Sequence, residues 1–442
     1  MHLPHTWSNY LDLILEKIPK INADWEIYFL KRNTHSVEGK DLKLDKKKNA
    51  KRELFSIRVI KDKKAGFSVC SEIDKIPEAF QSAYELAQIS DEDEFLTLPH
   101  PKQTEKVEVF DESLIENIDL LPEILINMQK SAFFDKRIKK LRNAEINFII
   151  DEKGIINSNG VSVYQPFTSI TAHIIAIAEE KDSQMGWAYR AERFLKNINF
   201  EEVGLEAGKK ALMLLSPRKI KPFKGMTVLS SYVACEFLEL IAHSISAENY
   251  QMGKSLFSGK IGEIVIDEKL NIIDDGVASE RFGSTPFDAE GVPTMKKFLI
   301  KKGVLNSLLH NTYTANRAGT ISTGNAIRTE RGISVGPTNL YIDNEEQNKP
   351  NLEDLINQVD KGVYVLEVMG MHTANPVSGD FSVGISGIYI EKGELKYPVK
   401  EAVYSGNVIE LFKNIKALAN DLQFFGNIGS PTLLVEGADI SG

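Results

Sequence analysis

The sequence predicts an α+β protein, with an N-terminal α/β sandwich-like unit or units followed by a strand-rich C-terminal domain. Two observations predict this class. Apolar residues at helical spacing alternate with strand-like runs over the first half of the chain, and glycines, turns and strands dominate from about residue 222 onward. A chain of 442 residues can build two or three domains, each with its own core. We place an N-terminal α+β domain at 1–105, a middle α+β domain at 106–220 and a strand-rich C-terminal domain at 221–442.

The first predicted domain combines two helices, at residues 10–18 and 76–89, with strands at 25–30, 54–60 and 67–70. Seven basic residues lie between Lys40 and Arg52, just before the second of these strands. Lysines on a strand edge prevent pairing with other chains, so this run predicts a solvated hairpin edge. The acidic residues 91–94 and the proline-containing segment 99–101 form the linker that ends the domain.

The middle domain is expected to contain a helix at 120–133, strands at 146–150, 161–164 and 169–178, and a helix at 200–215. Two segments of the third region, 298–305 and 388–395, share the order strand, Lys-Gly turn, strand. This order is typical of β-hairpins.

Composition excludes several classes of protein. The formal net charge of −9 disfavours non-specific binding to nucleic acid. No apolar run approaches the roughly 20 residues that a membrane-spanning helix needs. The N-terminal segment lacks the pattern of a secretory signal, so we expect a cytoplasmic protein. Cys70 and Cys235 stand far apart and outside any CxxC spacing, which excludes a disulfide framework.

One predicted helix, residues 232–245, carries Glu236, Glu239 and His243 along a single stripe. Apolar side chains, among them Leu238, line the opposite side. Two carboxylates and an imidazole on one face could hold a metal or relay protons, but the polar side of any amphipathic helix has the same composition.

A second cluster of polar residues is the loop 370–384, which lies between two predicted strands. Its glycine, proline, asparagine and aspartate residues indicate special backbone angles. Loops that present polar groups from a rigid scaffold are common binding elements. His372, Asn375 and Asp380 are therefore candidate contacts for a peptide or a partner. In the alternative, Asn375 and Asp380 only cap their own turn.

The segment 370–384 resembles a signature of the PmbA/TldD family, also called modulators of DNA gyrase. Four further stretches resemble the family in the same order along the chain, at residues 286–294, 322–326, 397–407 and 426–437. The resemblance covers the middle and last regions well, and it is weaker over the first hundred residues. It implies a hydrolase of the metallopeptidase class, acting in proteolysis.

Within this family, TldD-type members carry a zinc-binding His-Glu-x-x-x-His helix and take a third ligand from a cysteine near the C-terminus. The matching positions in this chain are Leu238, Glu239 and His243, and no cysteine follows Cys235. The resemblance therefore implies the TldE/PmbA branch, with no metal and no cofactor in this chain. Zinc is expected in a TldD-type partner.

Three functions follow as hypotheses. The first is a metal-free subunit, paired as a dimer with a TldD-like chain or with a second copy of itself, that handles unfolded or modified peptides. The second is a self-sufficient peptidase in which Glu239 and His243, the remnant of the HExxxH pattern, perform general acid–base catalysis. The third is a gyrase-associated regulator, which the negative net charge disfavours.

Overall fold

The computed structural model describes residues 6–329 and 332–442. Residues 1–5, which belong to the segment on which the prediction about a secretory signal rests, lie outside this range. No helix in the described part of the chain is long and apolar enough to cross a membrane.

The first half of the chain forms one long sheet and its helices. The helices are α1 (Thr6–Lys17), α2 (Ile76–Ile89), α3 (Glu112–Glu116), α4 (Leu121–Ala132) and α5 (Phe200–Met213). The strands are β1 (Asp24–Lys40), β2 (Lys43–Lys61), β3 (Lys64–Cys70), β4 (Ile138–Asn157), β5 (Ser162–Glu179) and β6 (Ser183–Glu192). They pair in the order β3-β2-β1-β4-β5-β6. This sheet contains strands from both sides of residue 105, where the sequence predicts a domain boundary. The division into two domains at that residue stays a prediction.

Most strands of this sheet are longer than the sequence indicates. Two-residue turns with positive φ, at Asp41–Leu42 and Asp62–Lys63, join β1 to β2 and β2 to β3, as tight hairpins require. The predicted strands 161–164 and 169–178 are one strand, β5. Its Pro166 pairs with Glu152 of β4, whereas β6 pairs with β5 only from Ile170 onward, so the proline faces no ladder on its other side.

All the helices that cover the sheet lie on one face. At one end, Phe80 of α2 packs with Phe29 and Phe55, and at the other end α4 and α5 cover Phe148. The helix α2 approaches β3 closely because Gly66 has no side chain: a Cβ there would stand 1.9 Å from the Ala83 carbonyl oxygen. The opposite face of the sheet contacts the C-terminal half of the chain.

The described part of the second half contains one long α-helix, four short ones and many strands. The helices are α6 (Ser231–Ser244), α7 (Ala247–Gln251), α8 (Thr312–Ala318), α9 (Leu352–Asn357) and α10 (Val408–Lys413). The first strands are β7 (Phe223–Leu229), β8 (Asn271–Asp275), β9 (Lys296–Lys301), β10 (Val304–Leu305), β11 (Ala326–Thr329), β12 (Gly332–Val335) and β13 (Leu340–Asp343). The last are β14 (Lys361–Met369), β15 (Asp380–Glu391), β16 (Glu394–Asn407), β17 (Ile415–Leu418), β18 (Gln423–Phe425), β19 (Ile428–Ser430) and β20 (Leu433–Ser441).

Two larger sheets enclose the core of this half. One has the order β16-β15-β14-β7-β20-β17, and the pairing of β16 with β20 closes five of its strands into a ring. The other has the order β10-β9-β8-β13-β19-β18. Both hairpins predicted from Lys-Gly turns are present, as β9–β10 and β15–β16. The predicted α+β class with a strand-rich C-terminal region is confirmed.

A buried ion network joins the two halves. Glu26 and Arg58 lie on the face of the first sheet that is turned away from its helices, and Arg58 is 3.0 Å from Glu26. Glu290 and Arg328 come from the C-terminal half. Glu290 lies 3.0 Å from Arg58, and Arg328 pairs with Glu26, so each of them contacts a residue of the first sheet. Both carboxylates are fully buried. The network therefore has to stay complete, since a buried charge without its partner is costly.

The replacement Arg58→Met should lower the free energy of unfolding by about 3–5 kcal/mol, because it leaves Glu290 without a cationic partner and Glu26 with only one. Urea denaturation measures this. Adding Glu290→Gln should recover part of the loss. The control is Arg52→Met on the exposed part of β2, with an expected change within ~0.5 kcal/mol. A loss below ~1 kcal/mol for Arg58→Met would show that the network is dispensable.

Candidate functional site

The helix α6 carries the first cluster of candidate residues. The preceding strand β7 and the N-cap residue of the helix, Ser230, position this helix. The Ser230 hydroxyl accepts a hydrogen bond from the Val233 amide and donates one to the Leu366 carbonyl of β14, at 3.2 Å. This side chain caps the helix N-terminus and ties it to the ring of strands. The direction of α6 is therefore fixed by the strand that precedes it and by the neighbouring strand β14.

The apolar side of α6 is buried as the sequence predicts. Phe237, Leu238 and Ile241 are completely buried in the core of the C-terminal half. The Phe237 ring packs against the Phe381 ring of β15, at 4.8 Å between centroids. Leu238 is thus a core side chain and is directed away from the polar stripe of the helix.

The polar side of α6 brings Tyr232, Glu236 and Glu239 together. Burial, followed by a hydrogen bond with Glu236, raises the pKa of Tyr232, whose ring packs edge-on against Trp187 of β6 at 4.6 Å. Desolvation and then the neighbouring Glu236 raise the pKa of the Glu239 carboxyl, although the residue is exposed. Glu367 of β14 lies near Tyr232, and burial raises its pKa as well.

His243 lies one helical turn after Glu239 and has a different electrostatic environment. Partial burial and then the positive charge of Lys254 lower its pKa, so the ring is mainly neutral at neutral pH. Its Nδ1 atom is buried and has no hydrogen-bond partner among the described residues. Glu239 and His243 thus share one stripe of α6 but have different electrostatic neighbours, Glu236 and Lys254. Their joint role in catalysis stays a prediction.

These residues do not fit a zinc ion. Zinc sites need three or four nitrogen, sulfur or oxygen ligands in tetrahedral arrangement. Leu238 offers none, and the thiol of Cys235 is buried against the Ile428 carbonyl, where burial raises its pKa. In the part of the chain that the structure describes, no three His, Cys, Asp or Glu side chains converge as metal ligands would.

The loop 370–384 carries the second set of candidates, and most of its polar groups hold the loop itself. The Asn375 side chain accepts hydrogen bonds from the amides of Val377 and Ser378, at 2.9 and 3.1 Å. Asp380 accepts from Asn407 and from the Ser378 hydroxyl, both at 2.9 Å, and these bonds lower the pKa of its carboxyl.

Asn375 and Asp380 thus cap their own turn, as the alternative interpretation of the sequence has it. His372 is exposed, as are Asn375 and Asp380. The role of these three residues in binding a peptide or a partner stays a prediction.

Sequence reasoning missed two residues of the α6 site. Tyr232 occupies the same stripe as Glu236 and Glu239, so the helical spacing could have identified it. Glu367 lies on β14, more than a hundred residues later. Only the parallel pairing of β14 with β7 brings it to the helix, and no sequence pattern signals that pairing.

Comparison with known proteins places these features in a family. Three family models match the chain: PmbA/TldA metallopeptidase domain 1 over residues 25–87, the central domain over 108–215 and the C-terminal domain over 224–442. An uncharacterised protein of Methanocaldococcus jannaschii is 32% identical over 97% of this chain and 100% of its own length. The metalloprotease PmbA homologue of Buchnera aphidicola (subspecies Baizongia pistaciae) is 28% identical over 83% of this chain and 81% of its own.

Two solved structures share the whole fold. A candidate modulator of a DNA gyrase from Thermotoga maritima superimposes with a TM-score of 0.89 at 28% identity, over 99% of this chain and 100% of the other. TldE from Thermococcus kodakarensis superimposes with a TM-score of 0.88 at 25% identity, over 98% and 99% of the two chains.

Truncating Leu238 to alanine should lower the free energy of unfolding by about 2–5 kcal/mol, because the side chain is completely buried in the core. Leu240→Ala, two positions along the same helix and only partly buried, is the matched control and should cost less. Chemical denaturation of both variants provides the comparison. Equal costs would mean that Leu238 is not the core position that its burial indicates.

Proposed function

Because the chain belongs to the PmbA/TldD metallopeptidase family, we propose that it is the metal-free, TldE/PmbA-like subunit of a two-chain peptidase complex. In this complex a TldD-like partner carries the zinc. The chain described here shapes the path of an unfolded or modified peptide and completes the assembly around the partner's metal. The likeness to PmbA homologues and to TldE supports this assignment.

The observation that carries the proposal is the environment of Leu238. This residue stands where the first histidine of the zinc-binding helix is expected, and its side chain is completely buried in the core. The second expected histidine, His243, lies beside Lys254, whose positive charge disfavours a cation. A helix with this environment serves as a packing element, and zinc chemistry falls to another chain.

Unpaired strand edges offer a means of holding a peptide. On β2, the strand β3 pairs only with the part from Phe55 onward, so residues 43–54 have a ladder on one side alone. Residues 43–52 of this stretch are exposed. An extended peptide that adds to such an edge gains main-chain hydrogen bonds with little regard to its sequence. The same edges need covering, which agrees with a dimer.

The alternative, a self-sufficient peptidase, would need Glu239 and His243 to act together on a water molecule. His243 is neutral enough to serve as a base, but its electrostatic neighbour is Lys254, and Glu239 interacts with Glu236. This arrangement favours the partner role over independent catalysis.

Purified alone, the chain should bind zinc weakly and without defined stoichiometry, because only His243 remains of the three expected protein ligands. Inductively coupled plasma mass spectrometry after dialysis gives the metal content. The control is the same measurement on a co-purified partner that carries an intact HExxxH helix. One zinc per chain in this protein, lost to a chelator together with peptidase activity, would refute the proposal.

In the reconstituted complex, Glu239→Gln and His243→Ala should change the turnover of an unfolded peptide by less than about twofold. Independent catalysis predicts instead a loss of ~100-fold or more, as expected when a general base is removed. His372→Ala should weaken peptide capture, seen as a higher KM with kcat retained. The variants are compared in a peptidase assay.

His100→Ala, which removes an exposed histidine outside the loop 370–384, is the matched control and should leave KM unchanged. Light scattering of each complex verifies that folding and pairing are intact. A large loss of kcat for His243→Ala in an assembled complex would favour the independent peptidase.

A further inference from the structure

A second site lies between the first sheet and the C-terminal half, away from α6 and from the loop 370–384. It is a cavity of about 350 Å³. This volume is within the range of small-molecule sites. The cavity is lined by Lys153 of β4, by Arg193 just after β6 and by backbone and side chains of three C-terminal segments, around Phe287, Asn325 and Pro337. None of these residues belongs to the proposed subunit site, so the inference does not depend on that role.

Two cations of the cavity share one aromatic ring. The Lys153 ammonium lies 4.6 Å from the centroid of Phe167, and the Arg193 guanidinium lies 5.2 Å from the same centroid. Arg193 also stacks on Phe282, at 5.4 Å. Cation–π contacts of this kind orient the two groups, but they do not neutralise their charges.

Neither cation has a carboxylate partner among residues 6–329 and 332–442. Arg193 is 8% exposed and donates to the carbonyls of Thr168 and Ser284, while its Nε is buried without a hydrogen bond. No hydrogen bond or ion pair holds the Lys153 ammonium within the described residues. The carboxylates nearby are already committed: Asp151 forms two 2.7 Å bonds to Arg32, and Glu26 pairs with Arg58 and Arg328.

The acidic side chain in the lining, Asp288, is also satisfied elsewhere. Its carboxylate accepts hydrogen bonds from the amides of Glu290, Val292 and Ala326, at 2.9–3.0 Å. Burial and the neighbouring Glu290 raise the pKa of Asp288 to about 7, which reduces its negative charge near neutral pH. The cavity therefore keeps an excess of positive charge.

Burying cations without partners is unfavourable in the empty protein. Burial lowers the pKa of Lys153 to about 8 and that of Arg193 to about 10, although the negative charge of Asp151 offsets part of each shift. Both shifts reflect the cost of holding charge away from water. An anion placed between the two groups would remove this cost through charge-assisted hydrogen bonds.

We propose that this cavity binds a small organic oxyanion, with its carboxylate or phosphate between Lys153 and Arg193 and its apolar part against Phe282 and Phe287. Lysine and arginine are the side chains that bind both groups, and the aromatic walls favour a molecule with an apolar body. The oxyanion could come from an organic acid or from free phosphate. The affinities of the protein for an organic acid and for inorganic phosphate distinguish these two sources.

Isothermal titration calorimetry on the full chain tests the site with three probes: N-acetylphenylalanine, its C-terminal amide and inorganic phosphate. We expect the acid to bind at least ~10-fold more tightly than the amide, because the two differ only in the charged group. Tighter binding of inorganic phosphate than of the acid would support the oxyanion site and overturn the role of the aromatic walls. Equal binding of acid and amide, or no binding of any probe, would overturn the proposal.

Two variants test the residues. Lys153→Met should weaken binding of the acid by ~10-fold or more while leaving the Tm of the unliganded protein equal or higher, since it removes a half-buried cation that has no carboxylate partner among the described residues. Arg193→Met should likewise weaken binding of the acid. If that variant does not fold, Arg193→Lys replaces it in the test; because it keeps the positive charge, it should retain part of the affinity. An affinity that is unchanged in Lys153→Met would refute the assignment.

Lys210→Met is the matched control. Lys210 also stacks on an aromatic ring, Trp187 at 5.0 Å, but it lies outside the cavity and has Glu206 as its partner at 2.8 Å. Its replacement should leave the affinity for N-acetylphenylalanine unchanged. A loss as large as that of Lys153→Met would show that the effect is general to half-buried lysines and would overturn the site.

Discussion

The buried ion network of Glu26, Arg58, Glu290 and Arg328 is the constraint on which the arrangement of the two halves depends. Two carboxylates and two guanidinium groups can leave water together only if each finds its partner, and each half of the chain supplies one of each kind. This requirement fixes how the C-terminal half lies on the first sheet. Arg328 also lines the neighbouring cavity, so the same contacts that fix the halves position the walls of the proposed oxyanion site.

The sequence predicts local features well because local physics determines them. The helix over 76–89 has the predicted bounds, and the helical period places Leu238 in the core and Glu239 at the surface. Strand lengths are underestimated where apolar alternation is absent, as in the basic part of β2, which forms a strand because β1 pairs with it along its length with a single irregularity. Pairing of that kind depends on a partner strand and cannot be read from one segment.

The candidate sites show the same division. The carboxylates of α6 share a face because they share a helix, so their spacing is visible in the sequence. Lys153 and Arg193 come from different parts of the chain, and each alone resembles an ordinary surface cation. They line one cavity only because β5 pairs with both β4 and β6 and the C-terminal half closes over this face. The environment that leaves these two cations without carboxylate partners arises from tertiary structure, which explains why sequence reasoning missed them.

The separation of Glu26 from Arg328 along the chain has a consequence for synthesis on the ribosome. The two residues are 302 positions apart, and the central strand β1 must wait for β4, from which Asn157 pairs with Glu26. At roughly 5–20 residues per second, many seconds pass between the emergence of Glu26 and that of its last partner. Until then the open face of the first sheet carries a charge without its full complement. The growing chain therefore depends on its last third to complete a structure that its first residues begin.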